Sequence, residues 1–242
     1  IIYFGDTSRV PYGGRSREIL LKYARQDVRF LRSFDIKAIV VACGTVSTTC
    51  LPQLQAENDL PVLGVVEPAC RRAVAVSKTR HVGLIATAAS VRSGTYEQII
   101  HALDPDVTVT ARACPLFVPL VENGRYERGD VVIETVAREY LEPIRGSGID
   151  TLILGCTHYP LLMDLIGEIM GSEVTLIDTG EEAAWELKRT LKAKNLLADC
   201  AQEGTTTLYA SDQPEDFGSM AKHFLQEELT SPVLQVNIEL FG

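Results

Sequence analysis

The chain has 242 residues, 46% of them hydrophobic and 23% charged, and its 23 Lys and Arg against 32 Asp and Glu leave a net charge of −9. That acidity, with no basic run longer than Arg71-Arg72, argues against a phosphate-binding surface, so nucleic acid is not an expected partner. No apolar run approaches the roughly 20 residues that cross a bilayer, which argues against a membrane-spanning role.

In chain order, short β-branched runs alternate with stretches of helical period. A first strand, "IIYFGD", reads as already under way, with no initiating Met and no basic leader, so the expectation is that the protein extends upstream. A helix is predicted over 16–33, then the strand "AIVVACG", a helix over 46–58, the strand "PVLGVV", a helix over 68–78 and the strand "HVGLIAT". Further along come "VTVTARA", a helix over 130–146, "TLILG", "VTLID" and "TLYAS". After Pro160 the steps of four from Leu161 to Leu165 and Ile169, with Leu162 and Ile166 beside them, predict a buried helical stripe. From Glu181 onward, Ala184, Leu187 and Leu191 repeat that pattern. The alternation specifies an α/β fold with largely parallel sheets.

Cysteine usage narrows the chemistry. The six cysteines (Cys43, Cys50, Cys70, Cys114, Cys156 and Cys200) sit in a chain long enough to build a good core, contain no CxxC pair and form no compact Cys/His cluster. Reduced thiols in the cytoplasm, with no metal site, are therefore expected. An internal repeat then singles out two of them. Setting "KAIVVACGTVS" against "TLILGCTHYP" aligns the strands and places Cys43 over Cys156; the next strand follows at Val62, 19 residues after Cys43, and at Val174, 18 after Cys156. Two similar units thus each present a thiol at the C-terminal end of a central strand, where open α/β sheets place their ligands. The bland reading, that both are small buried hydrophobes, does not account for the matched placement or for the polar Thr157-His158 neighbours.

Two thiols on opposite faces of one carbon can invert it. One thiolate removes a proton while the other thiol delivers one from the far side, and two identical groups can exchange roles. A free thiol, with a pKa of about 8.5, reaches either state with modest help. Backbone N–H groups at the strand-to-helix turns would hold a substrate carboxylate. A single nucleophile, Cys156 with His158, would suit a hydrolase or amidase, but a partner two residues away is not reliably within reach, and that reading leaves Cys43 idle. No G-x-G-x-x-G follows the first strand, and none of the seven lysines lies in a Schiff-base pattern, so no cofactor is expected.

With these residues in view, the chain resembles the glutamate racemases, which make D-glutamate for bacterial peptidoglycan without a cofactor. The resemblance runs through "FGDTSRVPYG" (4–13), "VVACGT" (40–45), "VVEPA" (65–69), "CPLFVPLVENG" (114–124), "DTLILGCTHYPLL" (150–162) and "YASDQPEDF" (209–217). It implies that Cys43 and Cys156 are the acid/base pair, that Tyr12 and Gly13 form a substrate-contacting turn, and that Gly44, Thr45, Thr157 and His158 line the substrate site. It also implies that Asp6, Glu122 and His158 lie near the reacting centre, where they tune the thiols or the substrate ammonium. Glu67, before Pro68, reads instead as a helix-start residue. Aspartate racemases are similar in plan but carry glutamate after Cys-Thr, so His158 favours glutamate as substrate.

Two departures from the family pattern stand out. Gly44 occupies the place of a usual asparagine, so the expectation is a lost side-chain hydrogen bond and a gain in affinity from Gly44→Asn. The family's opening Asp-Ser-Gly strand is absent from the sequence, which keeps open a second reading, a non-catalytic relative that binds an acidic amino acid or a protein partner. The implied architecture is two pseudo-symmetric α/β domains facing a shared cleft, one built from residues 1–78 and 181–242 and the other from 79–180. The expected setting is the bacterial cytoplasm, with a homodimer as an open option.

Overall fold

The computed structural model describes residues 1–199, 204–225 and 228–242; Cys200 lies outside the described residues. The chain runs β1 (Ile2–Gly5), α1 (Arg17–Leu31), β2 (Ile39–Val41), α2 (Gly44–Thr49), α3 (Leu51–Ala56), β3 (Val62–Gly64) and α4 (Val66–Val76). It continues through β4 (His81–Ala86), α5 (Ala88–Ser93), α6 (Thr95–Leu103), β5 (Thr108–Ala113), α7 (Phe117–Glu122), α8 (Val131–Arg145) and β6 (Thr151–Gly155). Last come α9 (Met163–Met170), β7 (Thr175–Asp178), α10 (Thr179–Ala193), β8 (Thr207–Ala210), α11 (Pro214–Leu225) and β9 (Leu234–Gln235). Short 3₁₀ turns occupy Thr7–Arg9, Tyr159–Leu162 and Ile238–Phe241.

The strands form sheets ordered β5-β4-β6-β7, β1-β8-β9 and β2-β3, and every described pairing is parallel. The predicted α/β class is thereby borne out. In the four-stranded sheet β6 is buried at all five positions, as expected for a strand covered on both faces. Leu152 and Leu154 join the core formed with α7, α8 and α9, whereas Ile153 points the other way, to α4 and α6. The chain leaves β4 towards β5 on one side and β6 towards β7 on the other. The C-terminal ends of β4 and β6 therefore flank the point where strand order reverses, the place at which such sheets hold ligands.

A third core gathers around β2 and β3. There α1 buries Leu20, Ala24 and Val28 at steps of four, packed with Ile39, Val46, Leu54 and Val62. Its start is fixed by Ser16, whose hydroxyl accepts the Ile19 N–H at 3.4 Å. Among the described residues no helix is long and apolar enough to cross a membrane, and the five described cysteines are free thiols.

Local chemistry corrects the sequence reading in three places. The helix predicted over 46–58 is two short helices, because Pro52 sits in the first turn of α3 and cannot continue α2. The segment after Pro160 is first a 3₁₀ turn, so α9 starts only at Met163 and its buried face is Ile166, Ile169 and Met170, with Leu161 and Leu165 half-buried. In α10 the buried residues are Thr179 and Ala183; Ala184 is exposed, one position round the helix from the expected stripe.

Candidate active site

Cys43 and Cys156 stand at similar points past parallel strands: Cys43, two residues after β2, is the N-cap of α2, and Cys156 directly follows β6. Cys43 is half-buried and Cys156 is 8% exposed. The residues beside them are in close contact. A Cβ built on Gly44 would lie 2.8 Å from the Gly155 carbonyl oxygen, and one on Gly155 would lie 2.8 Å from the Ile85 carbonyl oxygen. Glycine at 44 lets the turn after β2 approach the end of β6 backbone to backbone, while glycine at 155 lets β6 lie close against β4 in its own sheet. An asparagine at position 44 would have to displace the Gly155 carbonyl, which argues against the gain in affinity expected of Gly44→Asn.

The two thiols differ in their surroundings. Burial first of all pushes the Cys43 thiol up to about 11; the nearby Cys156 adds to this, while the backbone N–H groups of Val46 and Thr45 and the Thr45 hydroxyl pull the other way. Cys156 has an imidazole beside it, with Sγ 3.7 Å from His158 Nδ1. The reach that sequence spacing alone left in doubt is therefore present, because the turn folds His158 back over the thiol. The same Nδ1 lies 3.3 Å from the Thr157 hydroxyl, and Nε2 lies 3.1 Å from Glu122 Oε1 at the end of α7. Burial opposes charge on this ring, but hydrogen bonds to Cys156 and Glu122 outweigh it and raise the imidazole to about 9. At neutral pH His158 is an imidazolium bridging a carboxylate and the second thiol.

Thr45 makes the next contact. Its hydroxyl lies 3.1 Å from the Thr87 hydroxyl, which follows β4, and Thr87 in turn hydrogen-bonds Ser90 at 3.0 Å. A Cβ on Gly13 would lie 3.7 Å from Thr87 Cβ. Thr87 thus lies between the Tyr12-Gly13 turn and the start of α2, and it is a candidate site residue that sequence reasoning missed. The available signal was a threonine ending the strand "HVGLIAT", at a reversal of strand order that is visible only once the sheet is assembled.

Asp6 anchors the segment after β1. Its carboxylate accepts hydrogen bonds from Arg9 at 2.9 Å, from Ser211 at 3.1 Å and from the Tyr12 hydroxyl. Through the Tyr12 hydroxyl it is tied to the Tyr12-Gly13 turn. It also makes no side-chain cap on the Thr7–Arg9 turn. Glu67 lies in the first turn of α4 and pairs with Arg71 at 2.5 Å, as a helix-start residue would.

The family profile described as Asp/Glu/Hydantoin racemase matches residues 8–187. This chain belongs to that family. The glutamate racemase of Geobacter metallireducens is 44% identical over 238 residues, covering 98% of this chain and 87% of that protein. Among solved structures, a glutamate racemase isoform from Bacillus anthracis superposes with a TM-score of 0.92 at 36% identity, covering 98% of this chain and 87% of the other. The glutamate racemase of Francisella tularensis, solved with D-glutamate, gives a TM-score of 0.89 at 34% identity over 99% of this chain and 88% of its own. Racemase-family membership and the two-domain α/β architecture are thus established for this chain.

Proposed function

We propose that this protein is a cofactor-independent glutamate racemase that interconverts L- and D-glutamate with Cys43 and Cys156, supplying D-glutamate for peptidoglycan in the bacterial cytoplasm. The observation that carries the reading is the pair of free thiols at matched strand ends whose flanking glycines are in contact. Its support from relatives is their shared name at up to 44% identity over nearly the whole chain.

In one direction the thiolate of one cysteine takes the α-proton: the Cα–H bond breaks, an S–H bond forms and the electron pair stays on Cα. The other thiol then gives its proton to the opposite face, its S–H bond breaks and a thiolate remains, so the two sulfurs end with exchanged protonation. Cys43, whose thiol is held high by desolvation, rests as the acid. Cys156 has the His158 imidazole 3.7 Å from its sulfur, placed to exchange a proton with it. Backbone N–H groups and the hydroxyls of Thr45 and Thr157 would receive the substrate carboxylates, with Tyr12 and Gly13 forming the facing wall.

We divide the molecule at residues 78 and 180, into 1–78 with 181–242 and 79–180. The connecting helices α4 and α10 lie against one another and are laced by Arg71 to Glu186 at 2.6 Å and Arg72 to Glu182 at 3.6 Å. Opening and closing about these crossings would admit glutamate and then exclude water. Whether a homodimer forms is decided by sedimentation.

The decisive measurement is Cα proton exchange in deuterated water, starting separately from L- and D-glutamate with no added cofactor. Deuterium entering together with inversion from both enantiomers supports the reading. No exchange from either, in folded protein, favours a non-catalytic binder of acidic amino acids, and exchange with aspartate alone reassigns the substrate.

A further inference from the structure

We propose that Arg9 is a positioning residue for the substrate-binding turn, and that Asp27 on α1 is the titratable partner that makes the turn's hold on substrate depend on pH. The inference rests on the racemase reading for the identity of that substrate.

Arg9 is only 7% exposed, unusual for a guanidinium, and each of its three nitrogens donates a hydrogen bond. Nε donates to Asp6 at 2.9 Å, Nη1 to Gln26 at 2.6 Å and Nη2 to Asp27 at 2.9 Å, while the guanidinium carbon stands 4.2 Å from the centre of the Tyr23 ring. Glu239, in the 3₁₀ turn near the C-terminus, lies 3.8 Å from Nη1. The hydroxyl of Tyr12 donates to the other oxygen of Asp6. A continuous line therefore runs from Asp27 through Arg9 and Asp6 to Tyr12, and the next residue, Gly13, packs on Thr87. Fixing Arg9 fixes the turn that walls the cleft.

One guanidinium faces two carboxylates of low exposure, and both cannot be ionised without cost. Burial first, then the charge of Asp6, hold the Asp27 carboxyl up at about 8 against the pull of Arg9 and Tyr12. The groups facing it are Asp6, Arg9 and Tyr12 from the segment after β1, Tyr23 from its own helix and Glu239 from the terminal turn, with the Ser211 hydroxyl behind Asp6. Near neutrality a protonated Asp27 leaves the guanidinium to Asp6. When Asp27 loses its proton, a second anion competes with Asp6 for Arg9 and slackens the line to Tyr12. The thiols are outside this line, so binding should suffer rather than chemistry.

Two readouts separate this from the activity assignment. The first needs no turnover: the ring resonances of Tyr12, assigned with Tyr12→Phe, should follow a titration with a midpoint near 8 in the wild type and lose it in Asp27→Asn, whose amide still accepts from Arg9. The second is the KM for glutamate, expected to rise from about pH 7 to about pH 9 by about three- to tenfold more in the wild type than in Asp27→Asn, with kcat following one profile in both. Taking the difference between the two proteins removes the titrations of His158 and of the substrate. Arg9→Met should raise KM more than kcat falls, and Arg9→Lys should recover part of the loss. A wild type that does not racemise glutamate removes the functional reading and leaves the Tyr12 titration to decide this one. A Tyr12 titration that persists in Asp27→Asn, or an equal KM rise in both proteins, overturns the proposal.

Discussion

At Gly44 a carbonyl oxygen, not the substrate, decides which residue fits. With Gly155 O 2.8 Å from where a Cβ would stand, Gly44→Asn must push the two strand ends apart. We expect it to lower stability by about 1–3 kcal/mol and to raise KM for glutamate, as read by thermal unfolding and steady-state kinetics; unchanged values would show that the approach of the two ends is slack. Cys43→Ser and Cys156→Ser should each lower kcat by about 10²–10⁴-fold, the span of a general acid or base, with little change in calorimetric glutamate affinity. Near wild-type turnover in either variant would remove the two-base mechanism. His158 gives a pH signature. Its value rises from about 6.5 in the unfolded chain to about 9 in the fold. Its stabilisation is therefore fully present below about 6.5 and disappears as pH rises through about 9. Glu122→Gln removes one of the groups that hold the ring charged, so its alkaline loss of unfolding free energy should be smaller and end at lower pH than in the wild type. An identical pH profile would mean that Glu122 does not hold the charge. Of these residues, the cysteine pair was legible because a repeat at strand ends survives in one dimension. The Gly44 contact was not, since the atom that excludes a side chain lies 111 positions away in the chain, at Gly155.

The elements carry the site through strand β6, whose buried residues face two different cores. Leu152→Ala removes side-chain volume from the core shared with α8 and α9, where Leu152 is fully buried. A loss of about 2–5 kcal/mol is expected, measured by denaturant unfolding, and a value under 1 would mean that the layer closes around the gap. Strands and long helices were legible from periodicity because period 2 and period 3.6 are set by local backbone geometry. Besides the twelve-residue α11, what escaped were the short pieces: α5, α6, α7 and the division of α2 from α3. Each is about six to nine residues long, too short to complete the repeats on which a periodic pattern depends. Such pieces take their form from caps and packing. Thr87, for instance, starts α5 by accepting the Ser90 N–H at 3.2 Å.

For the whole molecule, parallel class and racemase kinship could be read from sequence, because alternation of strands and helices admits few topologies and the motifs are distinctive. Sheet order could not, since strands adjacent in space are distant in the chain. The extreme case is β1, whose partner β8 begins at Thr207 opposite Ile2. That pairing sets an order of events during synthesis. By the time β7 ends at Asp178 all four strands of the β5-β4-β6-β7 sheet have been made, while β1 still lacks its neighbour. At about 5–20 residues per second, the roughly 200 residues separating the paired strands mean that β1 waits about 10–40 s after it is made. During that interval the nascent chain carries an open strand edge, and the ribosome-bound protein would be at its most aggregation-prone.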